Sequence, residues 1–242
     1  MKILLTGATG YIGQRLLPTL VGAGHTVVCC VRDRKRFNPS ESILDKIEII
    51  EADLLERESL SGIPSDIDAA YYLVHSMSAS SDYEELEKTS ARNFTEAING
   101  TSAQQVIYLS GIVNEKTLSK HLNSRKNVEL ELTKGKFHLT TLRAGIIIGS
   151  GSASFEIIRD LVEKLPIMVA PKWLKTKCQP IGIADVISFL FKSLNHPGTF
   201  GKSFDIGGPD ILDYKRMLMG YAKVRKLRRK IIIVPVMTPR LS

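Results

Sequence analysis

With 242 residues, 43% of them apolar and 24% charged, this chain can bury a full core and has the balance of an ordinary globular protein. Its longest apolar runs, residues 69–74 and 231–237, are too short to cross a bilayer, and three cysteines do not make a disulfide framework. The net charge of +8 is concentrated in residues 32–36 and 223–230; neither run interleaves aromatics that could stack on bases, which argues against nucleic acid as a partner.

Taken in chain order, apolar runs alternate with stretches of helical period. Strands are predicted near residues 2–6, 26–31, 47–51, 69–74, 105–109 and 138–148, and helices near 11–22, 83–99 and 117–134. Such alternation predicts a doubly wound α/β fold: a parallel, Rossmann-type sheet in the order 3-2-1-4-5-6, covered by helices on both faces. Past residue 150 the rhythm loosens, with helices near 154–164, 184–194 and 213–224. The expected division is a dinucleotide-binding core over 1–150 and a small C-terminal substrate-side subdomain over 151–242. Residues 231–234 read as a buried strand close to the end of the chain. That fits either an edge strand or a chain cut from a longer protein.

The first predicted turn is the most specific. Thr6-Gly7-Ala8-Thr9-Gly10-Tyr11-Ile12-Gly13 joins a strand to a helix, the context of a dinucleotide-phosphate loop. Gly7 can turn out of the strand, Gly10 lets backbone approach a pyrophosphate, and Gly13 lets the helix pack closely. Phosphates would then lie at the helix N-terminus. The second strand ends in Val31-Arg32, and Asp33 comes late for a ribose contact, so NADP is expected in preference to NAD. Asp53, after the third strand, reads equally as an adenine contact or as the N-cap of residues 55–60. His75, after the fourth, stands at the sheet edge where ligands bind. No signal peptide pattern precedes the first strand, and a reduced, cytoplasmic setting is expected.

Several of these segments together resemble the extended and atypical branch of the short-chain dehydrogenase/reductase superfamily. The Thr6 to Gly13 loop is similar to its glycine pattern, Asp53-Leu54 to its Asp-Leu, and Leu142-Arg143-Ala144-Gly145 to its segment beside the nicotinamide. Gln179 to Val186 and Phe204 to Pro209 resemble its two late segments. The narrower likeness, carried by residues 121–125 and 149–156, is to bacterial NAD(P)H-binding, epimerase-like proteins of uncharacterised activity, which often have a further C-terminal domain. The resemblance implies cofactor contacts from Gly7, Thr9, Gly10, Tyr11, Ile12, Gly13, Arg32, Asp53, Leu54, His75 and Arg143. It also implies an oxidoreductase acting on a small carbonyl or sugar-like substrate, and a homodimer through helices 83–99 and 117–135.

The family's catalytic signature is altered. His121 stands where its Tyr should and Arg125 where its Lys should, four apart on one helix face. Ser110 falls two positions before the usual Ser/Thr. In an enzyme, His121 would act as proton donor, Arg125 would hold the ribose and Ser110 would bind the carbonyl. In the alternative, a non-catalytic NADP(H) sensor or scaffold, binding shifts a conformational equilibrium instead. Trp173 reads as core or as the rim of a substrate mouth, and Glu156 with Arg159 as a surface pair.

Overall fold

A computed structural model describes residues 1–75, 83–112 and 120–234, the side chains of residues 120–123 excepted. The first half runs β1 (Lys2–Thr6), α1 (Gly13–Gly22), β2 (Thr26–Val31), β3 (Ile47–Glu51), β4 (Ala69–Tyr72), α2 (Tyr83–Ile98), β5 (Gln105–Gly111), α3 (Lys120–Leu132) and β6 (His138–Ala144). These strands form one sheet in the order β3-β2-β1-β4-β5-β6, as expected, with one further strand outside β6. The pairs β2–β3, β1–β2, β1–β4 and β4–β5 are all parallel. This is a Rossmann-type α/β fold.

The sheet forms because its central strands are apolar on both faces, the mark of a parallel sheet covered by helices. Leu4, Val28, Ala70, Tyr72, Val106 and Tyr108 pack with Phe94 and Ile98 of α2 and with Val128 and Leu132 of α3. The alternate residues, Ile3, Leu5, Val27, Cys29, Tyr71 and Ile107, are equally buried. On α1 the buried residues Leu16, Leu17, Leu20 and Val21 make one stripe at helical spacing. Sequential order reverses between β1 and β4, which opens a crevice at the strands' C-terminal ends.

The second half continues β7 (Ile147–Ile148), α4 (Ala153–Lys164), β8 (Ile167–Pro171), β9 (Lys177–Cys178), β10 (Ile181–Gly182), α5 (Ile183–Ser193), β11 (Lys202–Ile206), β12 (Leu212–Asp213), α6 (Tyr214–Val224) and β13 (Lys230–Val234). The chain forms two compact units, residues 1–143 with 187–205, and residues 144–186 with 206–242. Residues 187–205 belong with the sheet because β5 carries a buried amide. Gln105 Nε2 donates to Ser193 O at 2.9 Å and to Thr140 Oγ1 at 2.8 Å, and Gln105 Oε1 accepts from Asn195 N at 2.7 Å. The Tyr71 hydroxyl donates to Leu190 O at 3.1 Å. β11 is the strand added outside β6.

The single strand expected over 138–148 is two. β6 ends at Ala144, and after Gly145 the short β7 pairs with β10 in the second unit. That unit packs Ile158, Val162, Met168, Leu174, Met217 and Leu218 into its own core. β13 was expected to be buried. It is half-buried, because it pairs in parallel with β8 alone and Ile232 is 42% exposed. The basic run at 223–230 has a local role here. Arg229 donates to the last carbonyls of α4, Val162 O and Glu163 O, and Arg225 pairs with Glu163 at 3.2 Å. No helix among the described residues is long and apolar enough to cross a membrane.

Candidate cofactor and active site

A cavity of about 480 Å³ opens at the C-terminal ends of β1 to β4, within the usual size of a ligand site. Its floor is the glycine turn. Gly7 has φ +70°, a conformation that L side chains rarely adopt, and a Cβ there would lie 2.7 Å from Leu73 O. A Cβ on Gly13 would fall on Gly7 O, so only glycine allows α1 to start this close to the strand. Gly10 N donates to Gly7 O at 2.9 Å and closes the turn. Thr6 Oγ1, fully buried, donates to Tyr71 O at 2.8 Å and locks β1 to β4 beneath it. No side chain caps α1; in its first turn Gln14 N donates to Gly10 O at 3.0 Å and Arg15 N to Ile12 O at 3.1 Å, so the glycine turn's own backbone leads into the helix, whose dipole favours an anion at this end.

Seven of the expected cofactor residues line this cavity: Gly7, Thr9, Gly10, Arg32, Asp53, Leu54 and His75. Gly13 shapes it from behind, Ile12 precedes α1, and Tyr11 carries Arg15 over its ring at 3.9 Å. The Tyr11 phenol oxygen is buried without a hydrogen-bond partner among the described residues. Asp33 is not among the lining residues; its carboxylate accepts from Lys35 N at 2.9 Å and caps the turn Arg34–Arg36. Arg32 is thus the charged group that β2 delivers to the cavity. Asp53 lines the wall while its Oδ1 accepts from Leu55 N at 3.0 Å, so it shapes a turn ahead of the helical segment Arg57–Gly62 and does not cap it.

Arg143 is not among the lining residues. It is engaged by Glu129 of α3 at 2.7 Å and lies 4.0 Å from Asp205, which ties β6 to α3 and β11. Cys30 is on the wall, but burial and the nearby Asp53 push its thiol up to about 11. Burial and Cys30 push Cys29 to about 12, so neither supplies a thiolate.

Behind the cavity, β4, β5, α2 and α3 converge on a buried carboxylate. Glu87, 5% exposed, interrupts the apolar stripe Ala91, Phe94, Ile98 of α2. His75 Nδ1 lies 2.5 Å from its Oε1, and the Ser124 hydroxyl, wholly buried, donates to its Oε2. Burial works against the charged form of Glu87. The His75 and Ser124 hydrogen bonds and the Arg125 charge outweigh it, and the carboxyl sits below its ordinary range. Arg125 donates to Leu109 O at 3.2 Å. Ser110 Oγ lies beside the Tyr108 phenol without hydrogen-bond geometry to it. Burial holds the Tyr72 and Tyr108 phenols neutral. His121 lies on α3, with its side chain outside the described residues. Glu87 and Ser124 were not singled out from the sequence; a lone carboxylate at i, i+4, i+7, i+11 with three apolar residues was the available signal.

A family model described as NAD(P)H-binding matches residues 7–144. The chain belongs to that NAD(P)H-binding family. It is 25% identical over 221 residues to a divinyl chlorophyllide a 8-vinyl-reductase, chloroplastic, of Oryza sativa subsp. indica, covering 86% of this chain and 54% of that protein. It is also 25% identical over 242 residues to the photosystem II assembly factor Ycf39 of Trieres chinensis, covering 94% and 72%. In fold it is similar to a short-chain dehydrogenase/reductase superfamily protein of Agrobacterium tumefaciens solved with bound NAD. That likeness has a TM-score of 0.77 and 15% identity, covering 97% of this chain and 85% of the other. The chain spans about half the length of the chlorophyllide reductases it matches. The glycine cradle and the helix start without a side-chain cap both suit a dinucleotide.

Proposed function

We propose that this protein is an NADP(H)-dependent oxidoreductase acting on a small carbonyl or enone. The observation that carries the cofactor preference is Arg32 on the cavity wall with Asp33 occupied as a cap. In this reading the backbone of Gly7, Gly10 and Gly13 and the start of α1 hold the pyrophosphate, Arg32 takes the 2′-phosphate, and Asp53-Leu54 take the adenine. When bound, the reduced nicotinamide supplies a hydride. In the same reading Arg125 holds the nicotinamide ribose, Ser110 binds the substrate carbonyl and His121, four residues before Arg125 in the sequence, is the proton donor. The first test is a calorimetric titration with NADPH, NADP⁺, NADH and NAD⁺. NADPH is expected to bind tightest and Arg32→Glu to cost it at least tenfold; equal affinity for NADH would count against the assignment.

A second reading, a non-catalytic NADP(H) sensor or scaffold, is favoured by the altered Tyr-x-x-x-Lys positions His121 and Arg125 and by the likeness to an assembly factor. It predicts NADP(H) binding without consumption of NADPH by any of a panel of ketones, aldehydes and enones.

A further inference from the structure

The net charge of this chain is not shared between its two units. The first unit holds nineteen basic and nineteen acidic residues; the second holds fourteen basic against six acidic, which is the whole of the +8. Three of those six carboxylates, Glu156, Asp160 and Glu163 of α4, are each paired with an arginine or a lysine. Arg159 and Arg225 are held in these pairs, and Arg229 is held by the carbonyls that end α4. Most of the cations left over are lysines. Lys172, Lys175, Lys223, Lys226 and Lys230 make no ion pair among the described residues.

The same unit carries an apolar sheet face. The register of β8 and β13 sets Ile167 opposite Lys230 and Val169 opposite Ile232, and all four are exposed. The alternate residues Met168 and Ala170 are buried, with Ile231 packed against them. One face of this pair therefore fills the unit's core, and the other offers three β-branched apolar side chains and a lysine. β8 runs directly into Lys172–Lys175, where Trp173 is exposed and its ring meets Tyr214 edge-on at 5.6 Å.

The charge decides what such a face can meet. A second copy would bring two strongly basic units together, which their repulsion opposes. Protein interfaces are enriched in arginine and depleted in lysine, the reverse of the balance among the free cations here. Flexible ammonium groups beside apolar residues and a tryptophan suit a layer of phosphate headgroups over acyl chains. We propose that the second unit docks peripherally on an anionic lipid surface, with Ile167, Val169 and Ile232 entering the headgroup layer and Lys172, Lys175 and Lys230 meeting its phosphates. This surface is separate from the dinucleotide cavity and does not depend on the function read there.

The test is sedimentation of the full chain with vesicles of phosphatidylcholine alone and of phosphatidylcholine with an equal share of phosphatidylglycerol. The protein should sediment with the mixed vesicles, stay in solution with the neutral ones, and be released as salt is raised. Lys172→Glu combined with Lys175→Glu should weaken the partition at least tenfold. Val169→Thr combined with Ile232→Thr keeps β-branched residues in the strands and should weaken it by about tenfold. Both double variants should melt within a few degrees of wild type and keep their NADPH affinity, which separates a lost surface from a lost fold. Equal binding to neutral vesicles, binding to neither kind, or binding unchanged in either double variant overturns the proposal. Retention on immobilised polyglutamate with no binding to mixed vesicles would assign the face to an acidic protein instead. Self-association of wild type that the two threonines abolish would assign it to a second copy.

Discussion

The two units of this chain are built on different principles. In the first, the central strands β1, β2, β4 and β5, of four to seven residues, are buried on both faces, and the cavity is made at the strand ends largely by backbone: a left-handed glycine, a helix start without a side-chain cap and two close approaches. In the second, four of the described strands have two residues each, and the β8–β13 pair leaves Ile167 59%, Val169 58% and Ile232 42% exposed. The difference teaches where specification lies. Cofactor geometry is held by conformations that few residues can adopt, whereas the second unit leaves its shape to side chains and turns that can vary at little cost.

This contrast can be broken or sharpened by substitution. Phe94→Ala empties the core under β4 and β5, where Phe94 packs edge-on against Tyr72 at 4.9 Å. It should cost about 3–5 kcal/mol in a urea melt. Gly13→Ala forces a methyl onto Gly7 O. It should cost about 1–3 kcal/mol and remove NADPH binding measured by calorimetry; a variant that binds normally would show that the cradle is not backbone-limited. Ile232→Ala, on the exposed face of β13, should stay under about 1 kcal/mol. A loss as large as that of Phe94→Ala would mean that the face is covered in solution. Glu156→Ala, which removes a surface pair with Arg159, should change stability by less than about 1 kcal/mol.

Acid titration probes the first unit through Glu87. The folded pKa of Glu87 is depressed, so its contribution to stability is full above the ordinary carboxylate value of 4.5 and is lost as pH falls through the lowered value. Glu87→Gln should therefore flatten the stability–pH curve below 4.5 and leave it unaltered at neutral pH apart from a uniform offset. An unaltered acid slope would show that Glu87 is not held ionised.

Sheet order and the glycine cradle were legible in the sequence because both rest on local rules. Continuous apolar runs such as residues 26–31 are strands of a covered sheet, and the spacing of Gly7, Gly10 and Gly13 has one use in a strand–turn–helix setting. Arg32 was legible for the same reason, since it follows directly from the end of β2. The surroundings of Arg143 were not. The resemblance put it beside the cofactor, but its partner Glu129 comes from a packed helix. Glu87 escaped because a single carboxylate on a helix reads as solvated until the sheet beneath it is built. The break after Ala144 escaped because Gly145 and the apolar residues 146–148 continue the strand pattern while their pairing partner lies some thirty-five residues later.

The most direct test is to titrate wild type and Arg32→Glu side by side with the four nicotinamide dinucleotides. The account predicts that wild type binds NADPH more tightly than NADH, and that the preference disappears in Arg32→Glu while NADH binding persists. Equal affinities in wild type, or a preference untouched by the substitution, would contradict it.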